Sequence, residues 1–90
     1  MPIWSLLTNH AKALVHLAAH PDARLRDLGD ALGVTERTAF GIVNDLTEAG
    51  YVKKQRQGRR NRYDVQPAVR LHDDFAGGRT VGDLLDLLAP

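Results

Sequence analysis

Residues 35–49 read TERTAFGIVNDLTEA, and the fold turns on how this stretch is read. At about 100° per residue, Ala39, Ile42, Val43, Leu46 and Ala49 gather on one side of a helix. Arg37, Gly41 and Asn44 gather on the opposite side, with Glu48 at its far end. Thr35 suits the N-cap, because its hydroxyl oxygen can accept from an amide that the first turn leaves without a partner. Gly50 suits the stop, since glycine takes the left-handed backbone that closes a helix. The spacing therefore predicts an amphipathic helix. One face belongs in a core; the other presents a cation, an amide and a gap.

The residues before this helix look built to hold it. Residues 27–32 predict a short second helix that packs through Leu28, Ala31 and Leu32, and Gly33-Val34 makes a tight turn into Thr35. Gly29 weakens that short helix by about 1 kcal/mol relative to alanine, which makes sense if two backbones cross closely there. Arg24-Leu25-Arg26 reads either as a short edge strand or as an extended lead-in. Further back, Leu7, Ala11, Leu14 and Ala18 recur at helical spacing, with Leu17 widening the stripe. They predict a first helix that starts near Ser5 or Thr8, runs to Ala19 and ends at Pro21-Asp22.

Beyond Gly50 the period changes from helical to alternating. Residues 51–56 and 62–65 predict two strands joined by a turn over 57–61 that contains Gly58. Tyr51, Val52, Tyr63 and Val65 tie the base of this hairpin to the core. Pro67 closes the unit, and residues 68–79 form a loop with Leu71 and Phe75 as anchors before Gly77-Gly78. Residues 80–88 predict a last helix, with Thr80 as cap and Asp83 at the capping-box position. Val81, Leu84, Leu85 and Leu88 form its stripe, and Leu87 lies to one side. So short a helix is not stable alone in water and must dock. Its five large apolar residues exceed what one small patch requires.

The formal net charge of +1 conceals a strong asymmetry. Residues 1–50 carry four Lys/Arg against six Asp/Glu, residues 51–66 six against one, and residues 67–90 two against four. All six central cations lie between Lys53 and Arg62, on the hairpin. So dense a cluster beside a two-faced helix points to a polyanionic partner.

Other function classes find little support. No stretch approaches the roughly 18 apolar residues of a membrane span. The opening MPIWSLLTNHAK shows no secretory signal, and the absence of cysteine removes disulfides and thiolate metal sites. A cytoplasmic protein is the simplest reading. His16 and His20 stand four apart on one helix face, a spacing a metal can use. No third ligand is evident, so they read as surface histidines and no metal or cofactor is expected. No nucleophile–base arrangement, phosphate loop or catalytic carboxylate pair is present, and no enzyme is expected.

The order is helix, short helix, tight turn, two-faced helix, basic hairpin and terminal helix. In a helix-turn-helix the second helix enters the DNA major groove while the preceding one braces it. Here LRDLGDALGVTERTAFGIVNDLTEAGYVKKQRQGRRNRYDV (residues 25–65), with WSLLTNHA (4–11) before it and RTVGDLLDLL (79–88) after it, resembles the compact MarR-like bacterial transcriptional regulators. The resemblance covers nearly the whole chain. It differs from larger members in lacking long terminal helices, and in having Gly41 where a large polar or basic residue is common.

The resemblance implies an α+β, mainly helical fold: a winged helix-turn-helix in residues 1–66, a connecting loop in 67–79 and a dimerisation helix in 80–90. It implies a sequence-specific regulator of transcription that binds double-stranded DNA as a homodimer, with no membrane partner; no small-molecule effector can be named. Arg37 becomes a contact to guanine or phosphate; Thr35 a cap that can also meet a phosphate; Thr38 and Asn44 groove or backbone contacts; and Gly41 a point of close approach. Phe40 is expected to pack beneath the hairpin or the first helix. In the wing, Arg59 and Arg60 lie at the tip and Lys53, Lys54, Arg56 and Arg62 on the strands, against phosphates or the minor groove. Val81, Leu84, Leu85, Leu87 and Leu88 form the dimer contact, unless this helix folds back on its own chain. The alternatives are a winged-helix protein-interaction module and an RNA binder.

Overall fold

A computed structural model describes residues 4–88. Residues 1–3 and 89–90, which end the first and last segments of the sequence reading, lie outside the described residues. The elements are α1 (Asn9–Ala19), α2 (Leu25–Leu32), α3 (Glu36–Glu48), β1 (Val52–Gln57), β2 (Arg60–Val65), a 3-10 turn (Asp74–Ala76) and α4 (Val81–Leu88). The architecture is α+β and mainly helical, with a two-stranded antiparallel wing.

Thr8 begins α1, its hydroxyl accepting from the Ala11 amide at 3.1 Å. The helix buries Ala13, Leu14 and Leu17, while Ala18 is exposed and Ala11 only half-buried. The buried face is thus rotated from the expected stripe, because turning Leu17 inward removes far more apolar surface from water than turning Ala18 inward. Leu28 of α2, Ala39, Ile42, Val43 and Leu46 of α3, Val52 and Tyr63 of the wing, and Val81 of α4 complete the core.

The lead-in to α2 corrects the sequence reading: α2 begins at Leu25, and only Arg24 is extended. Leu25, Leu28 and Leu32 share a face, and their packing offsets the lack of a side-chain cap at Arg24. Where a third strand would pair, a single backbone bond stands among the described residues, from the Tyr63 amide to the Pro21 carbonyl at 2.9 Å. Proline has no amide to return.

Two similar helix endings frame α3. At Gly33 (φ 74°) the Val34 amide reaches back to the Gly29 carbonyl and the Gly33 amide to that of Asp30. At Gly50 (φ 83°) the Tyr51 amide reaches Leu46 and the Gly50 amide reaches Thr47. Both are Schellman closures, in which the left-handed residue lets two orphan carbonyls find donors. Gly29 earns its place differently: a Cβ there would stand 2.9 Å from the Val34 carbonyl oxygen. The close crossing predicted for Gly29 is the passage of α2 against the backbone leading into α3. His10 of α1 adds a polar tie, its Nε2 lying 2.8 Å from Asp45 Oδ2 of α3.

The wing pairs Val52 with Val65 through to Gln57 with Arg60, leaving a two-residue loop of Gly58 (φ 63°) and Arg59. Both strands therefore extend closer to the tip than their alternation suggests. Val52 and Tyr63 are buried, and Tyr51 and Val65 pack partly on the core, as the sequence predicts.

The 67–80 segment departs further from expectation. Phe75 anchors nothing; it is 100% exposed. The loop is held by its backbone instead: Leu71 donates to Arg79, Val81 to Val69 and Gly82 to Pro67, each at 2.9 Å. The His72 amide donates to the Tyr51 hydroxyl at 2.6 Å, the His72 Nε2 lies 3.0 Å from the Ala49 carbonyl oxygen, and the two rings stack. Thr80 and Asp83 form the capping box, the Thr80 amide meeting Asp83 Oδ2 at 2.9 Å and the Asp83 amide meeting Thr80 Oγ1 at 3.1 Å. These bonds hold the Asp83 carboxyl below its ordinary value. No helix among the described residues is long and apolar enough to cross a membrane.

Candidate nucleic-acid interface

The outward face of α3 is positioned by everything beneath it. With Ala39, Ile42, Val43 and Leu46 buried, the helix cannot rotate, and Arg37, Phe40, Gly41, Asn44 and Glu48 stand exposed along one stripe. Thr35 Oγ1 accepts from the Thr38 amide at 3.1 Å and donates to Thr38 Oγ1 at 3.0 Å. The Thr35 hydroxyl proton is therefore used within the cap, whereas the Thr38 hydroxyl keeps its own proton to donate outward. Arg37 and Asn44 form no ion pair or side-chain hydrogen bond among the described residues.

Phe40 corrects an expectation. Rather than packing beneath the wing or α1, it is 53% exposed and adds an apolar edge to the outward stripe. Its place at the flank, three residues on from Arg37, was the available signal. Gly41 faces open space, since nothing lies within 4 Å of a Cβ built there. No internal contact explains the glycine, so Gly41→Ala is expected to raise stability by about 0.5–1 kcal/mol, visible as a higher urea midpoint at unchanged slope.

The six wing cations divide into two groups. Arg56 Nε donates to the Gly58 carbonyl at 3.2 Å and stiffens the turn. Arg60 donates to the Asp22 carbonyl at 3.1 Å, fastening the wing to the segment after α1. Arg62, expected as a DNA contact, is half-buried: it donates to Asp64 Oδ1 at 2.8 Å and stands 3.6 Å from Asp22 Oδ1. Its charge is already matched. Lys53, Lys54 and Arg59 are exposed and lack such partners among the described residues.

Between the wing and the starts of α2 and α3 lies a cleft of about 390 Å³ whose polar lining includes Arg24, Arg59, Arg60, Asp22 and Glu36. Arg24, which no sequence motif singles out, joins the wing arginines in this lining. Its signal is a cation within the net acidic first half of the chain, in a stretch that reads as either an edge strand or an extended lead-in.

His16 and His20 lie with ring centroids 4.9 Å apart. Burial holds His16 below its ordinary value, His20 pushes it the same way, and Asp27 opposes both. No group of three His, Asp or Glu side chains suited to a metal occurs among the described residues. Of the expected dimer contacts, Val81 is fully buried in its own chain, and Leu85 packs partly against that core. Val81 therefore anchors α4 rather than facing a partner. Leu84 and Leu88 are half-buried, and Leu87 is 81% exposed.

No curated protein matches the sequence significantly. Solved structures do match the fold. MepR of Staphylococcus aureus, a transcription regulator of the multidrug efflux pump MepA, superposes with a TM-score of 0.64 at 15% identity, covering 92% of this chain and 55% of that one. A MarR family protein of Mycobacterium tuberculosis, solved with salicylic acid, gives 0.62 at 16% identity, covering 91% and 54%. The PcaV transcriptional regulator of Streptomyces coelicolor, solved with its natural ligand, gives 0.59 at 21% identity, covering 90% and 56%. This chain spans about half the length of each, and at these identities the likeness speaks for the fold. The MarR family model matches residues 4–62, well over half of the sequence. With the fold and that match in agreement, the chain belongs to the MarR family of winged helix-turn-helix regulators.

Proposed function

We propose that this chain regulates transcription by binding double-stranded DNA sequence-specifically, with α3 in the major groove and the wing on the backbone or in the minor groove. The observation that carries the reading is the outward face of α3, where Arg37 and Asn44 stand exposed, together with the exposed wing cations Lys53, Lys54 and Arg59; none of these five has an ion pair among the described residues. A helix of about 10–12 Å diameter fits a major groove of about 12 Å. Arg37 suits the paired acceptors of guanine, Asn44 the acceptor–donor pair of adenine, and Phe40 a thymine methyl. Thr38 can donate to a phosphate, and Gly41 lets the helix backbone come close. The wing cations supply attraction that does not depend on sequence. No catalytic step is involved.

Residues 1–66 form the DNA-binding unit in this reading, 67–79 connect it, and 80–90 join two copies through Leu84, Leu87 and Leu88. Two copies allow two short half-sites to be read together, which a sparse reading face requires.

Selection of bound sequences from a random duplex pool tests the reading, and a motif with two related half-sites is expected. Arg37→Ala should relax preference by about 10–100-fold at particular positions, leaving the rest of the motif intact. Failure to enrich any motif, or better binding of single-stranded RNA in competition, would refute the proposal.

A further inference from the structure

The 67–80 loop and α4 together present a knob and a groove on neighbouring parts of one face. Phe75 is the knob, fully exposed although its turn is closed by hydrogen bonds. Its amide donates to Asp73 Oδ1 at 2.8 Å, the Ala76 amide to the Asp73 carbonyl at 3.0 Å, and the Arg79 amide to the Ala76 carbonyl at 3.1 Å. The pairing of Arg70 with Thr80 closes the loop. The groove, about 430 Å³, has apolar walls of Leu71, Ala76, Leu84 and Leu87, with Arg79 and Asp83 at its rim. Ala76 follows Phe75 in the chain, so knob and groove adjoin, yet the ring does not occupy its own groove.

We infer that a second copy of this chain docks here by exchange, the Phe75 ring of each copy seated among Leu71, Leu84 and Leu87 of the other. This rests on the homodimer reading given above and specifies its contact. A knob beside its own kind of groove is self-complementary, which is what a two-fold interface requires: each copy gives and receives the same contact. Charge favours the same occupant. Asp73 and Asp74 precede the knob, and Arg79 lies at the groove near Asp83, whose carboxyl it helps hold below its ordinary value; neither Asp74 nor Arg79 has an ion pair within 4 Å among the described residues. Exchange brings the acidic shoulder of each knob to the arginine of the other copy. The arrangement also links the dimer contact to the reading head, because His72, three residues before Phe75, is bonded to Tyr51 and Ala49 at the end of α3.

Sedimentation equilibrium of the whole chain tests this. The unaltered protein should dimerise at micromolar concentrations. Phe75→Ala should raise the dimer dissociation constant by about 100-fold or more, because one substitution removes two central aromatic anchors. Circular dichroism should be unchanged, since Phe75 touches nothing in its own fold. Asp74→Arg and Arg79→Asp should each weaken the dimer, and the double variant should recover affinity to within about threefold of the original. A dimer that Phe75→Ala leaves intact overturns this inference while sparing the homodimer reading. A monomeric unaltered protein overturns both. A double variant no better than the singles overturns the proposed orientation.

Discussion

Replacing Lys53, Lys54 and Arg59 together with alanine should lower affinity for any duplex by about 100-fold or more at low salt, with sequence preference retained. These three wing cations lack partners among the described residues, so their fields are available to phosphates. Each phosphate neutralised contributes about 0.9 to the log–log dependence of affinity on salt. The triple variant should therefore flatten that dependence by nearly 3, if each cation meets one phosphate. Folding should change little, because all three side chains are exposed. Substituting Arg62 provides the contrast. It leaves Asp64 and Asp22 without their cation, so it should act mainly by loosening the wing. Electrophoretic mobility shift across a salt series separates the two behaviours. Equal effects from both variants would show that the division of cations drawn here is wrong.

The second large effect concerns stability. Leu28 is 1% exposed, the only fully buried large side chain of α2, and it packs with the α1 and α3 residues beneath the reading face. Leu28→Ala should cost about 2–5 kcal/mol, combining lost burial with the cavity left behind. A chain of this length has only about 5–14 kcal/mol in total, at the usual 0.05–0.15 per residue. Close collapse is obstructed, because Gly29 already brings α2 within van der Waals limits of the Val34 carbonyl. The urea midpoint should fall steeply while the slope holds. DNA binding should be lost with the fold rather than before it. A loss below about 1 kcal/mol would mean that α2 does not brace α3 through this residue.

Much of this architecture could be read from residues alone, and the reasons are local. Thr35, Gly33, Gly50 and the Thr80–Asp83 pair carry their own geometry: a hydroxyl that caps, or a glycine that turns left-handed, is decided within a few residues. The α3 burial pattern is equally legible, since four apolar positions at helical spacing leave little choice. What escaped depends on distant parts of the chain. The rotation of α1 is set by the surfaces of α3 and β2, and the early start of α2 by packing of Leu25. The commitment of Arg62 is partly local, since Asp64 lies two residues on along the same strand face, and partly distant, since Asp22 is forty residues away in sequence. Phe75 is the reverse case: its apolar character suggested a core anchor, whereas the loop is closed by backbone bonds that need no side chain there. Phe40 was misplaced for a similar reason, because an aromatic residue on the flank of a stripe can face either way.

The central claim is that α3 and the wing form one surface for duplex DNA. Affinity for a duplex carrying the selected motif, measured from about 50 to 200 mM salt, tests it most directly. The account predicts binding at low salt that weakens with a log–log slope of about −3 or steeper, flattened when Lys53, Lys54 and Arg59 are removed. No duplex binding at low salt, or an affinity indifferent to salt, would contradict it.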